Sequence, residues 1–289
     1  MNARTGYLGF LGAAILYGTF GLFIRALQTD FDVLQQIALR SFGAALIAVP
    51  LAFAAHSKID RKNLADPRLF LFTMLLPISI ALWTWATVIG TVRSSIFGLY
   101  LGSLIASMIL GRVFFRERLS RARVAGIMLS LAGLTVFCLP FDGDVTDTAS
   151  LSLGAAAGVF QAASLCLRRW LSDLNRSLLI AAQTVVPLLL TSLLCALFDP
   201  ISVSALSVQQ IAISVSYGGL VVAVSYLVLI GSQNLDISKG SIILSTELAW
   251  AIAIAAVVLG EIPTVYEVLG SALLLASAVF VTRKSNQTS

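Results

Sequence analysis

Ten times along this chain an apolar run close to twenty residues long ends in a short polar break. The runs fall at about 7–24, 32–54, 69–91, 94–115, 121–140, 150–168, 177–198, 210–232, 238–259 and 264–281. Most are near the ~20 residues an α-helix needs to cross a hydrocarbon core. In lipid every backbone polar group must be satisfied within the protein, and a continuous apolar run does that as a helix. The reading is an all-α integral membrane protein with ten transmembrane helices. The longest break, HSKIDRKNLADPR at 56–68, leaves no room for a separate soluble domain. The first run is not read as a signal peptide, because it is long, Arg25 follows it, and no small-residue cleavage site precedes a mature domain.

Composition excludes the soluble alternative. The chain is 58% hydrophobic and 11% charged, where soluble domains run near ~45–50% and ~25%. Cys138, Cys166 and Cys195 each lie inside an apolar run without metal-ligand spacing, so they read as small core residues and no cofactor is expected. The net charge of +5 could suggest nucleic acid, but its placement argues otherwise. With the N-terminus in the cytoplasm, all of the nineteen basic residues except Arg25, Arg93 and Arg40 fall in cytoplasmic segments. That is the positive-inside pattern, with both termini cytoplasmic and no nucleic-acid partner. The acidic stretch FDGDVTD (141–147) falls outside, in agreement.

A repeat organises the ten runs. Shifted by 144, ERLSRARVAGIMLSLA (117–132) lies on EIPTVYEVLGSALLLA (261–276), pairing Glu117 with Glu261, Val124 with Val268, Gly126 with Gly270 and Leu129 with Leu273. A shift of 142 brings LGAA at 11–14 onto LGAA at 153–156. Residues 1–140 and 150–283 then form two five-helix halves. Five is odd, so the second half enters the membrane from the opposite face, giving inverted repeats with a site near the midplane. Thr264-x-x-Glu267 after Pro263 reads as a capping box, and Ser120 caps the corresponding helix. Glu117 and Glu261, just before those caps, are read as fixing loop geometry.

Two five-helix halves, each closing with a Glu-containing turn and a Gly-containing helix, resemble the drug/metabolite transporter superfamily, specifically its EamA-like ten-helix members. STELAWA (245–251) is similar to the family's "LEPVWA"-like segment, VVLGEIPTVYEVLGSALLLASAV (257–279) to the segment that follows, and ALRSFGAALI (38–47) to its second helix. Leu248 stands where the family usually has proline, and YLGSLIAS (100–107) lacks it too, so the resemblance does not extend to a proline break. The resemblance implies a secondary transporter in the cytoplasmic (inner) membrane, export being the expected direction. Its cargo would be a small organic metabolite such as an amino acid or drug-like solute, with a coupling proton as candidate partner. It sets neither the cargo nor the oligomeric state.

Candidate cavity residues come from polar and aromatic side chains inside the spans. Glu247 lies near the centre of its span, where a carboxylate facing lipid costs about 3 kcal/mol even on insertion scales, so it must face protein or water. Trp250 is one helical turn away. Tyr17 and Phe20 share a stripe in the first helix. Trp83 lies in the third, Tyr100 in the fourth and Tyr226 in the eighth. Arg40 stands about a third of the way into the second helix, where it could snorkel to the outer surface. Gln161 and Gln183 could bind substrate or simply join helices, and a shift of 143 sets Gln183 opposite Arg40. Packing competes with a cargo role for each aromatic. Gly98-xxx-Gly102 and Gly154-xxx-Gly158 read as close helix contacts. His56, at a helix end, is not read as a proton relay.

No HExxH, GxSxG, Walker motif or pair of membrane aspartates is present, so neither catalysis nor ATP-driven pumping is expected. A non-transporting scaffold of the same fold is the second reading. An intramembrane enzyme is the third, and would need Arg40 as partner to Glu247. A cavity between the halves that ends at Glu247 separates a transporter from a scaffold.

Overall fold

The computed structural model describes residues 3–55, 66–117, 120–139, 145–198 and 207–285. Its elements are α1 (Ala3–Gly18), α2 (Phe20–Leu27), α3 (Val33–Ala54), α4 (Pro67–Ile89), α5 (Val92–Phe115) and α6 (Arg121–Phe137). They continue with α7 (Val145–Trp170), α8 (Arg176–Phe198), α9 (Val208–Asn234), α10 (Ile237–Leu244), α11 (Glu247–Leu259) and α12 (Val265–Ser285). Among the described residues nine helical stretches are long and apolar enough to cross a membrane, with α1–α2 and α10–α11 each counting as one. The tenth is α6, whose 17 residues reach about 26 Å and sit at the short end of spanning helices. The protein is multi-pass and all-helical.

Helix starts are written locally. Asp66 accepts from the Arg68 N–H at 2.8 Å ahead of Pro67, and Ser120 accepts from the Arg123 N–H at 3.3 Å. Glu267 accepts from the Thr264 N–H at 2.8 Å while Thr264 Oγ1 accepts from the Glu267 N–H at 3.3 Å, which completes the expected capping box. His56 lies outside the described residues.

Two spans are broken. The first bends at Thr19, whose Oγ1 donates to the Leu16 carbonyl at 2.7 Å. The ninth bends at Ser245–Thr246, directly before Glu247, although no proline is there. Ser245 and Thr246 donate their hydroxyls to the carbonyls of Ile242 and Ile243 at 2.8 and 2.6 Å. The backbone tightens to three-residue steps there, with Thr246 N–H on the Ile243 carbonyl at 3.1 Å and Ala249 N–H on Thr246 at 3.0 Å. Such back-bonding bends helices. Hydroxyls at adjacent positions thus break this span where a proline was the device considered.

Packing is pairwise and regular. The fourth span packs on the sixth and the first on the ninth, the third on the sixth and the eighth on the first, the second on the eighth and the seventh on the third. Adding five to each span number converts one contact of each couple into the other. Three contacts are their own counterparts: second on seventh, fourth on ninth and fifth on tenth. Glycines make the closest crossings. A Cβ on Gly98 or Gly102 would strike the Leu151 and Ala155 carbonyls, and one on Gly154 or Gly158 the Ser95 and Leu99 carbonyls, so α5 and α7 touch backbone to backbone. Both glycine pairs are close helix contacts, as expected, and the two pairs face each other.

Candidate functional site

The spans leave a cavity of about 240 Å³ around the middle of the bundle. Its lower wall is Gln183, Thr184, Ser225 and Glu247, and its upper wall rises through Tyr17, Phe20, Arg40, Trp83 and Tyr217 toward Ile24. Seven of the ten expected residues therefore meet here: Glu247, Tyr17, Phe20, Arg40, Trp83, Gln161 and Gln183.

Glu247 opens α11 and is partly exposed to the cavity, the favoured end of a helix for an acid. Tyr100 is buried in a cluster with Leu134 and Leu248, and its hydroxyl lies beside the Glu247 carboxyl, so it backs the site without lining it. Trp250 does not line the cavity. It packs over Gly18, where a Cβ would stand 2.9 Å from the Trp250 Cβ and 2.8 Å from the Ala251 nitrogen. Three helical residues lie about 60° apart in projection, enough to send Trp250 onto α1 while Glu247 faces inward. Tyr226 also stays outside the cavity, with its hydroxyl 2.6 Å from Ser177 Oγ.

Arg40 does not snorkel. It lines the cavity and donates from NH1 to the Tyr217 hydroxyl at 3.2 Å, and its guanidinium stands 5.8 Å from the Tyr217 ring centroid. Tyr217, fully buried, was not among the expected residues. It stacks on Phe23 at 5.2 Å and meets Phe20 edge-on at 5.0 Å, which fixes the ring that orients Arg40. The signal for it is the Gly218 that follows: a Cβ there would strike the Gly43–Ala44 backbone, so α9 is pressed onto α3 three residues beyond Arg40. Ser41, Ser79, Thr184 and Ser225 are further polar lining residues that sequence reasoning did not single out. Trp83 Nε1 and Gln161 Oε1 are buried without a partner. Gln183 joins helices, accepting from Arg168 NH2 at 3.0 Å and donating to Ser225 Oγ at 3.1 Å. Arg168, read as a topology charge, is instead buried behind this floor.

Below the floor, one end of the bundle is tied shut. The buried Glu117 carboxylate accepts from Arg169 at 2.9 Å, from the Ile237 N–H at 2.7 Å and from Ser238 Oγ at 2.7 Å, and pairs with Arg123 at 3.4 Å. It therefore holds the end of α7 against the start of α10, a wider role than loop geometry. Arg123 and Lys239 also reach Asp236, at 2.5 and 3.3 Å. At the opposite end Glu261 pairs with Arg25, and both side chains are about half exposed. Among the described residues no group of three His, Cys, Asp or Glu side chains is placed to hold a metal, and all three cysteines are buried and outside any disulfide.

The profile of the EamA-like transporter family matches residues 4–139. Just under half of the chain is thus similar to the EamA-like transporter family. A relative from Bacillus subtilis (strain 168), named "Uncharacterized transporter YojE", is 27% identical over 131 residues, covering 42% of this chain and 43% of that protein. The matched part is thus less than half of that relative's length. Together these matches support the drug/metabolite transporter superfamily. A solved crystal structure shares the fold with a TM-score of 0.84 and 18% identity, over 97% of this chain and 98% of that one.

Proposed function

We propose that this protein is a secondary transporter, moving a small organic solute across the cytoplasmic membrane by alternating access. The observation that carries the reading is one central cavity holding an acid, Glu247, and a guanidinium, Arg40, between aromatic walls. Intramembrane ionisable groups are kept where they meet cargo or ions. A volume of about 240 Å³ lies under the ~300–1,000 Å³ of pockets for drug-sized ligands, which favours a metabolite over a bulky drug.

Residues 1–140 and 150–283 act as inverted repeats in this reading. The support is the contact pattern, in which the most extensive helix crossings each have a counterpart five spans away or are their own counterpart. Both termini face the cytoplasm, so the Glu117 end is the inner end. The cavity then leans outward and its inner exit is shut by the Glu117 network and the Arg168–Gln183–Ser225 floor. Export as the direction follows the superfamily resemblance.

Purified protein in liposomes, offered a panel of amino acids, carboxylates, nucleosides and organic cations, tests the reading. Counterflow of at least one solute, lost on exchanging Glu247 or Arg40, is expected. Binding without movement of any solute would favour the scaffold.

A further inference from the structure

Arg168 is a buried charge for which the described residues supply no counter-charge. Its side chain is 4% exposed, two residues from the end of α7. A helical side chain leans toward the helix N-terminus, so Arg168 reaches back into the bundle and away from the nearby surface. Its NH2 meets only a neutral amide, Gln183 Oε1, at 3.0 Å, and its guanidinium lies 5.7 Å from the Phe72 ring centroid. Its Nε is buried with no partner. Among the described residues it has no carboxylate within ion-pair distance, because Glu117 is taken by its neighbour Arg169 and by Arg123.

Holding Gln183 does not require a charge. A buried ion without an opposite ion is strongly unfavourable, so the positive charge is the part that local structure leaves unexplained. Arg40 is in the same position among the described residues: its recorded partner is the Tyr217 hydroxyl. Tyr17 is within electrostatic reach of Arg168, Arg40 and Glu247. Against these two guanidinium groups the site offers one acid, Glu247. A shift of 143 sets Gln183 opposite Arg40, so under the repeat reading a guanidinium stands behind the counterpart of Arg40.

We propose that Arg168 is a second anion-binding residue, and that the cargo carries a carboxylate which Arg40 takes first and Arg168 takes once Gln183 swings aside. The proposal rests on the transporter reading and names its substrate class. A guanidinium fork matches a planar carboxylate with two parallel hydrogen bonds, and the walls of Tyr17, Phe20 and Trp83 suit an apolar or aromatic remainder. An organic cation would face the excess positive charge and is excluded.

The test uses full-length protein in nanodiscs, phenylacetate and phenethylamine as probes, and melting temperature as the first readout. Phenylacetate should raise the wild-type melting temperature and phenethylamine should not. Arg168→Gln should melt at or above the ligand-free wild type, since an unpaired buried charge is gone, while its phenylacetate affinity falls about tenfold to a hundredfold. Arg168→Lys, which keeps the charge but loses the fork, should retain part of the effect. A lower melting temperature for ligand-free Arg168→Gln, an undiminished phenylacetate response in it, stabilisation by phenethylamine, or no wild-type response to phenylacetate would each overturn the proposal. Counterflow of labelled phenylacetate in liposomes separates the two readings. Binding that depends on Arg168 without any exchange would sink the transporter and leave the anion site standing.

Discussion

Arg169 meets Glu117 at 2.9 Å at one end of the bundle, and 144 positions away from each the pair recurs at the other end as Arg25 and Glu261. The two pairs differ in burial. Glu117 is 2% exposed at the side chain, while Arg25 and Glu261 are 51% and 46% exposed. One end is therefore locked by a desolvated network and the other by a solvated contact that can part easily.

That asymmetry predicts unequal mutants. Glu117→Gln takes the buried carboxylate from Arg169 and Arg123, leaving Asp236 at 4.0 and 2.5 Å as their counter-charge, and should destabilise the protein by about 3 kcal/mol, the low end for breaking a buried pair. Glu261→Gln should change stability by no more than about 1 kcal/mol, as exposed pairs do. Thermal unfolding in detergent compares them, and similar losses in both variants would contradict the burial argument.

Gly18 sets the contact between the bend of the first span and α11. A Cβ there would lie 2.8 Å from the Ala251 nitrogen and 3.0 Å from the Trp250 carbonyl carbon, so backbone has to move. Gly18→Val should lower stability by about 1–3 kcal/mol and reduce solute exchange. A variant with wild-type melting temperature would show that these helices are not in contact.

Much of this was readable in advance because bilayer thickness fixes helix length. Every expected run corresponds to a helical stretch, the fifth and shortest being Arg121–Phe137. Glu247, Arg40, Gln161 and Gln183 were legible because a polar group inside a span has to face something other than lipid. Tyr217 was not, since its place depends on the crossing of Gly43 with Gly218, which no local pattern states. Arg168 was misread for a related reason. A charge near a helix end counts as a surface signal until the direction of its side chain is known.

Tyr217→Phe keeps the ring that packs on Phe20 and Phe23 but removes the hydroxyl that accepts from Arg40. Stability should fall by roughly 0.5–1.5 kcal/mol, and solute binding should weaken because Arg40 loses its orientation. Calorimetric titration of the first transported solute measures this. Unchanged binding would mean that Arg40 is positioned by its own helix.

Both termini are expected on the cytoplasmic face. The cysteines Cys138, Cys166 and Cys195 are buried, so a thiol added at Ser289 reports alone. An impermeant thiol reagent should leave Ser289→Cys unlabelled in intact cells and label it after permeabilisation. Labelling in intact cells reverses the topology, and the inner and outer ends of the cavity with it.

Glu247 carries the most direct test of the chemistry. It opens α11 at the break made by Ser245 and Thr246, lines the cavity, and has the Tyr100 hydroxyl beside it. A purely structural carboxyl would need only hydrogen bonds, and glutamine supplies those with the same shape. A carboxyl that meets a cargo amine or exchanges a proton needs its ionisable group. Glu247→Gln is therefore expected to insert and melt like the wild type, yet to lose exchange or its dependence on pH over roughly pH 5.5–8.5. Wild-type rates and wild-type pH dependence in this variant would leave Glu247 with a structural role only.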